Sequence, residues 1–172
     1  MTMAKSKITK NTPPKSGFSR TDKILDSAGW FCFIALGLIT GFSYFRLPDI
    51  IPVHFNALGH PDRYGNKAML FAVFGVAAFI FLGITLCIKY VFNPSRSTVT
   101  PNKNFDFAIR IVRFLRLMVI LTFNYMIIVT NLVVDGISKG LGSLFLPLFM
   151  ISLLFPIAFF FKKTMSPRNK RP

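Results

Sequence analysis

Four stretches of this sequence, residues 27–45, 68–88, 117–134 and 140–161, contain no charged side chain. Their lengths of 19, 21, 18 and 22 residues suit helices crossing a hydrocarbon core of about 30 Å at about 1.5 Å per residue. The predicted fold is an all-α integral membrane protein with four transmembrane helices. Charged residues make up only 16% of the 172-residue chain, and none is Glu, against roughly 25% charge in soluble proteins. This clustering excludes a soluble enzyme with its own water-exposed domain, and it excludes a disordered chain.

A net charge of +15 would point to nucleic acid in a soluble protein, but here its distribution reads as topology. Lys and Arg number six in residues 1–26, three in 46–67, six in 89–116, one in 135–139 and five in 162–172. Alternate segments thus hold 17 against four. Anionic lipid and the membrane potential disfavour translocating such charge, so both termini and the middle loop are expected in the cytoplasm. Residues 1–23 read as a disordered basic arm, 24–161 as the membrane domain and 162–172 as a basic tail. The long basic lead and the full-length first span describe a signal anchor rather than a cleaved signal peptide.

Small and polar residues within the spans predict packing. Gly37 and Gly41 lie four apart in span one, and Ala68, Ala72 and Gly75 line the outer half of span two; such faces let helix backbones approach. Trp30 and Tyr44 sit near the ends of span one, where amphipathic rings favour the headgroup level. Asn124 and Asn131 fall on one face of span three. Lipid cannot satisfy an amide, so this intramembrane polar face is expected to bond a neighbouring helix, the alternative being a polar path for an ion or substrate. No ionisable group lies at mid-depth in any span, which counts against ion-coupled transport. Cys32 and Cys87 read as packed thiols.

The helix of span three is expected to begin near Phe105, at the cytoplasmic interface. Arg110, Arg113 and Arg116 would there rest on lipid phosphates, with Asp106 pairing to Arg110 one turn on. Residues 93–104 read as a flexible loop. Pro147 and Pro156 favour kinks in span four, and the glycine-containing connection 135–143 makes spans three and four a tight hairpin.

The outer loop, residues 46–67, holds nearly all the side chains capable of chemistry. Three prolines and two glycines restrict its path. Val53 and Phe55 alternate with His54 and Asn56 as a short strand. Gly59, Pro61 and Gly65 read as turn residues, and Asn66 is placed to cap span two. A small hairpin over the outer mouth of the bundle is expected. The run Leu47-Pro48, Ile51-Pro52, His54-Phe55-Asn56, Gly59, Pro61-Asp62, Gly65 and Lys67 resembles the signature of the bacterial membrane family called domain of unknown function 1648. That domain also forms the N-terminal part of immunity proteins against a sporulation-delaying toxin. The resemblance implies a multi-pass protein of the bacterial cytoplasmic membrane, and its immunity relatives act in toxin protection and signalling.

His54, His60 and Asp62 are the weak candidates for a metal site; the spacing of the two imidazoles matches no ligand pattern, and hydrogen bonding within the loop is the simpler role. A general base at His54 oriented by Asp62 finds no Ser, Cys or Thr in this loop, so no enzyme is expected. The sequence therefore points to a non-enzymatic binding, signalling or immunity-type membrane protein. Its outer loop would recognise a peptide or envelope component, with His54, Asn56, Asp62, Lys67, Pro48, Pro52, Gly59 and Gly65 either binding it or shaping the loop. The alternative is a subunit of a small oligomeric transporter or channel. Expected partners are anionic headgroups of the bilayer, an extracellular peptide, a cytoplasmic regulator and further copies of the chain; neither a cofactor nor nucleic acid is called for.

Overall fold

The computed structural model describes residues 19–90 and 103–165. The elements are α1 (Arg20–Arg46), β1 (Ile50–Phe55), β2 (Pro61–Asn66), α2 (Met69–Tyr90), α3 (Lys103–Val134) and α4 (Phe145–Met165). All four helices are long and apolar enough to cross a membrane, the architecture of a multi-pass membrane protein. The two strands form the expected hairpin between α1 and α2. Most of the arm expected over 1–23, of the loop over 93–104 and of the tail over 162–172 lies outside the described residues.

Helix ends follow local chemistry. α1 starts at Arg20, well before the uncharged stretch, because the Asp22 carboxylate accepts the Ser19 backbone N–H at 3.0 Å, satisfying a donor at the helix start. Residues 20–23 are thus helix rather than arm. At α2 the Ala68 N–H donates to Asn66 Oδ1 at 2.8 Å, the expected cap. α3 runs 32 residues without a break, about 48 Å, so the segment expected at the interface is the first part of one rod. α4 begins at Phe145 rather than at 140, since Gly140 and Gly142 adopt φ of 153° and 85° in the preceding turn. Pro147 falls in the first turn of α4, where a missing N–H removes no helical bond; Pro156 alone is interior.

α3 is the hub, packed on α1, α2 and α4 and touching β1. Leu36, Ala77, Phe81, Ile120 and Ile127 form the core, which continues through Leu47, Ile51 and Leu70 to the base of the hairpin. Phe81 stacks on Phe33 at 4.7 Å and meets Trp30 edge-on at 5.2 Å. α4 rests on α3 through a Tyr125–Phe145 stack at 5.2 Å, while Leu148, Ile151, Leu154 and Phe155 stay exposed, as lipid-facing residues do. Of the small residues singled out, Gly37 meets the Phe74 ring, but Gly41 and Gly75 face open space. The tight approach is instead at Gly29, under the side chains of Arg116 and Phe81.

Candidate ligand site under the hairpin

β1 and β2 pair antiparallel from Ile50–Asn66 to Phe55–Pro61, with irregular register on both sides of His54. Pro52 has no N–H for a ladder, and the Val53 side chain fills the space that a β-carbon on Gly65 would need, at 3.2 Å. Pro61 and Gly65, expected in turns, are therefore strand residues. Asn56 forms the turn itself: its Oδ1 accepts the Leu58 N–H at 3.0 Å and the His60 N–H at 3.1 Å, and Gly59 takes a φ of 80°. Lys67 locks the base, donating to the Leu47 carbonyl at 3.1 Å, pairing with Asp49 at 3.1 Å and lying 5.3 Å over the Tyr44 ring. Pro52 is buried and Pro48 exposed.

Among these residues His54 and Asp62 stand apart. Their Nδ1 and Oδ1 are 2.6 Å apart, and both side chains are well exposed. The Asp62 carboxylate can only accept, so Nδ1–H donates to it and this bond sets the orientation of the imidazole ring. His60 does not join them as a ligand: among the described residues no group of three or more His, Cys, Asp or Glu comes together for a metal.

The hairpin tip is clasped to the turn between α3 and α4. The Leu141 N–H donates to the Gly59 carbonyl at 2.7 Å, and the Tyr125 hydroxyl donates to the Leu141 carbonyl at 2.8 Å. A β-carbon on Gly59 would lie 2.6 Å from the Gly142 carbonyl oxygen, so the two backbones meet directly.

Beneath this roof lies a partly enclosed cavity of about 470 Å³, walled by β1, by Leu70 and Val73 of α2, by Met126, Ile127 and Thr130 of α3 and by Phe145 and Leu146 of α4. Its size falls within the roughly 300–1,000 Å³ of small-molecule sites. The polar side chains lining it are His54, Asn56 and Thr130. Thr130 spends its hydroxyl proton on the Met126 carbonyl at 2.9 Å, and Asn56 spends its oxygen on the turn. His54 is the titratable side chain among the lining residues.

Elsewhere the polar groups tie α1 to α3. Asn124 donates to the Cys32 carbonyl at 3.0 Å and Asn131 to Ser43 Oγ at 2.7 Å, the neighbouring-helix bonds expected of that face. Arg46 grips both oxygens of Asp135 at 2.7 and 2.6 Å and reaches Asn131 Oδ1 at 3.3 Å. At the other end of the bundle the three arginines behave differently from expectation. Arg113 and Arg116 are 3% and 2% exposed and turn into the bundle rather than onto lipid phosphates. Arg113 pairs with Asp22 at 3.3 Å and Asp26 at 3.1 Å. Arg116 pairs with Asp26 at 2.5 Å and donates to Thr85 Oγ1 at 2.9 Å. Arg110, more exposed, reaches Asp22 across the helices at 3.2 Å. α1 and α3 run side by side in the same direction, so the two acids one turn apart on α1 meet the arginines at matching height. A buried cation needs such partners, because water no longer solvates it. Equal height of opposite charges on the two helices was the available signal in the sequence.

The fold defines a four-helix multi-pass membrane protein with a two-stranded hairpin roofing one end. Residues 30–86 match the family described as "Domain of unknown function (DUF1648)", so a DUF1648 domain covers most of α1, the hairpin and most of α2. Over 73 residues the chain is 37% identical to an uncharacterised protein of Archaeoglobus fulgidus; the match covers 41% of this chain and 40% of that relative. No solved structure matches the chain significantly. The α3 and α4 walls of the cavity lie beyond the matched residues.

Proposed function

We propose that this chain is a non-enzymatic membrane binding protein, whose hairpin and underlying cavity recognise an apolar peptide segment or envelope component. The observation that carries this reading is the cavity of about 470 Å³ roofed by the strand that bears His54. A rigid roof favours binding, since a preformed site avoids the entropy of ordering it. His54, oriented by Asp62, offers a directed polar group in a largely apolar site. The excess of Lys and Arg in the terminal and middle segments supports a hairpin outside the cell and both termini within. An immunity-type role follows from that placement, with secreted membrane-active peptides held away from the bilayer.

A survival assay tests it. Sensitive bacteria expressing the full chain are challenged with secreted membrane-active peptides, and wild type is compared with His54→Ala and Asp62→Ala at matched membrane levels. Protection that disappears in both variants is expected. No protection from the wild type would remove the immunity role, and full protection in both variants would move recognition away from the hairpin.

A further inference from the structure

We infer that the occupant of the cavity is a single-chain amphiphile drawn from the bilayer, its acyl chain lodged between α2, α3 and α4 and a hydrogen-bond-donating headgroup on His54. The inference rests on the cavity being a ligand site and specifies the class of ligand.

Size sets the first limit. A volume of about 470 Å³ lies toward the small end of the roughly 300–1,000 Å³ of small-molecule sites, which suits one slender chain. A helix with its side chains is about 10–12 Å across and would need far more room. The walls set the second limit. Leu70, Val73, Met126, Ile127 and Phe145 offer no hydrogen bonds, and Thr130 has spent its hydroxyl proton on its own helix. A peptide backbone laid against these side chains would find no partner for its N–H and C=O groups, so a peptide would enter only by an apolar side chain, whereas an acyl chain has no such groups to satisfy.

The headgroup follows from His54. Its Nδ1 lies 2.6 Å from Asp62 Oδ1, and a neutral imidazole that donates Nδ1–H to that carboxylate presents Nε2 as an acceptor. A hydroxyl or ammonium headgroup satisfies it, while a fatty-acid carboxylate would meet both an acceptor and the neighbouring Asp62 charge. Entry is lateral: Met69 of α2 and Leu146 of α4 flank the cavity and are themselves exposed, on surfaces that face lipid.

The test uses the full chain in phosphatidylcholine nanodiscs containing a trace of monoacylglycerol with a diazirine in its chain, the labelled residues being read by peptide mass spectrometry. Labelling should concentrate on Val73, Met126 and Phe145 and fall about tenfold on filling the cavity by Met126→Trp. Val73→Phe serves as a second, smaller filling change, and thermal unfolding verifies that each variant folds. His54→Ala should lower labelling several-fold and His54→Gln, which keeps an acceptor, should restore much of it. The matching diazirine fatty acid should label less than the monoacylglycerol. Labelling spread evenly over the lipid-facing residues of α4 and unchanged by both filling variants would overturn the inference. A diazirine-bearing membrane-active peptide that labels these positions when the lipid does not would refute the lipid class and leave the ligand site standing. If neither probe labels the cavity, both readings fall.

Discussion

Gly29 makes room for Arg116: a β-carbon on the glycine would stand 3.2 Å from the arginine Nη2. The side chain of Arg116 reaches from α3 to Asp26 on α1 and Thr85 on α2, with its guanidinium 4.9 Å over the Phe81 ring. One buried cation thus joins three helices, and the joint depends on its acid. Asp26→Asn should destabilise the bundle by about 3–5 kcal/mol in thermal or denaturant unfolding in detergent, because it leaves buried Arg116 and Arg113 short of a shared counter-charge. Asp26→Leu with Arg116→Met should cost less than the single change, the remaining cost being the Arg113 contact to Asp26 that is also lost. A single variant as stable as wild type would show that water reaches the cluster.

Gly29 itself gives a graded test of the same joint. Gly29→Ala needs a shift of a few tenths of an ångström in Arg116 and should be mild. Gly29→Leu occupies the arginine's passage and should cost about 1–3 kcal/mol by overpacking. Equal effects of the two would place the constraint in the α1 backbone rather than in the arginine.

At the hairpin end, the Arg46–Asp135 pair is better exposed, 41% and 27% for the two side chains. A double-mutant cycle to alanine should therefore return only about 0.2–1 kcal/mol, and less at high salt. A coupling as large as that of the buried cluster would mean that lipid, not water, surrounds this end.

Asn131 and Ser43 offer a third measure of the α1–α3 seam. Bonds of this type between membrane helices average about 0.6 kcal/mol, with a maximum near 1.7. The cycle of Asn131→Leu with Ser43→Ala should fall in that range, read from unfolding in detergent. Zero coupling would show that Arg46, which also reaches Asn131, does the holding.

Two glycines separate backbone strain from contact in the hairpin clasp. Gly59 and Gly136 both have positive φ, 80° and 72°, but only Gly59 abuts another backbone. Gly136→Ala should cost about 1–2 kcal/mol, the left-handed penalty alone. Gly59→Ala should cost more and should release the Leu141 amide to faster hydrogen exchange, while the helices remain protected. Unchanged exchange at Leu141 would mean that the Gly59 carbonyl does not hold it.

The spans and the hairpin were legible in the sequence to different degrees. The four uncharged stretches located the helices, but charged ends such as Arg20 to Asp26 look like solvated flank until their partners on α3 are known. The hairpin was expected, but the extent of β2 was not, because Pro61 and Gly65 are turn formers by habit; Val53 pressing on Gly65 explains a glycine inside a strand. Of the candidate site, Gly59 was readable as a turn residue from its type, whereas Asn56 and Lys67 suited ligand binding equally well until their bonds within the loop were seen. The cavity was not, since Val73, Met126 and Phe145 lie on three helices and look in sequence like any other span residue.

Helix number and the place of the hairpin follow from local facts: runs without charge, proline and glycine positions, and a backbone that must satisfy itself wherever water is absent. Which faces meet is a different matter. Apolar side chains in lipid have little preference for one neighbour over another, so pairing was settled by the few polar and small groups that match in space: Asp26 with Arg116, Asn131 with Ser43, Gly59 with Leu141. Such matches depend on two helices lying side by side at a shared height, a property of the assembled bundle that no single stretch of sequence contains.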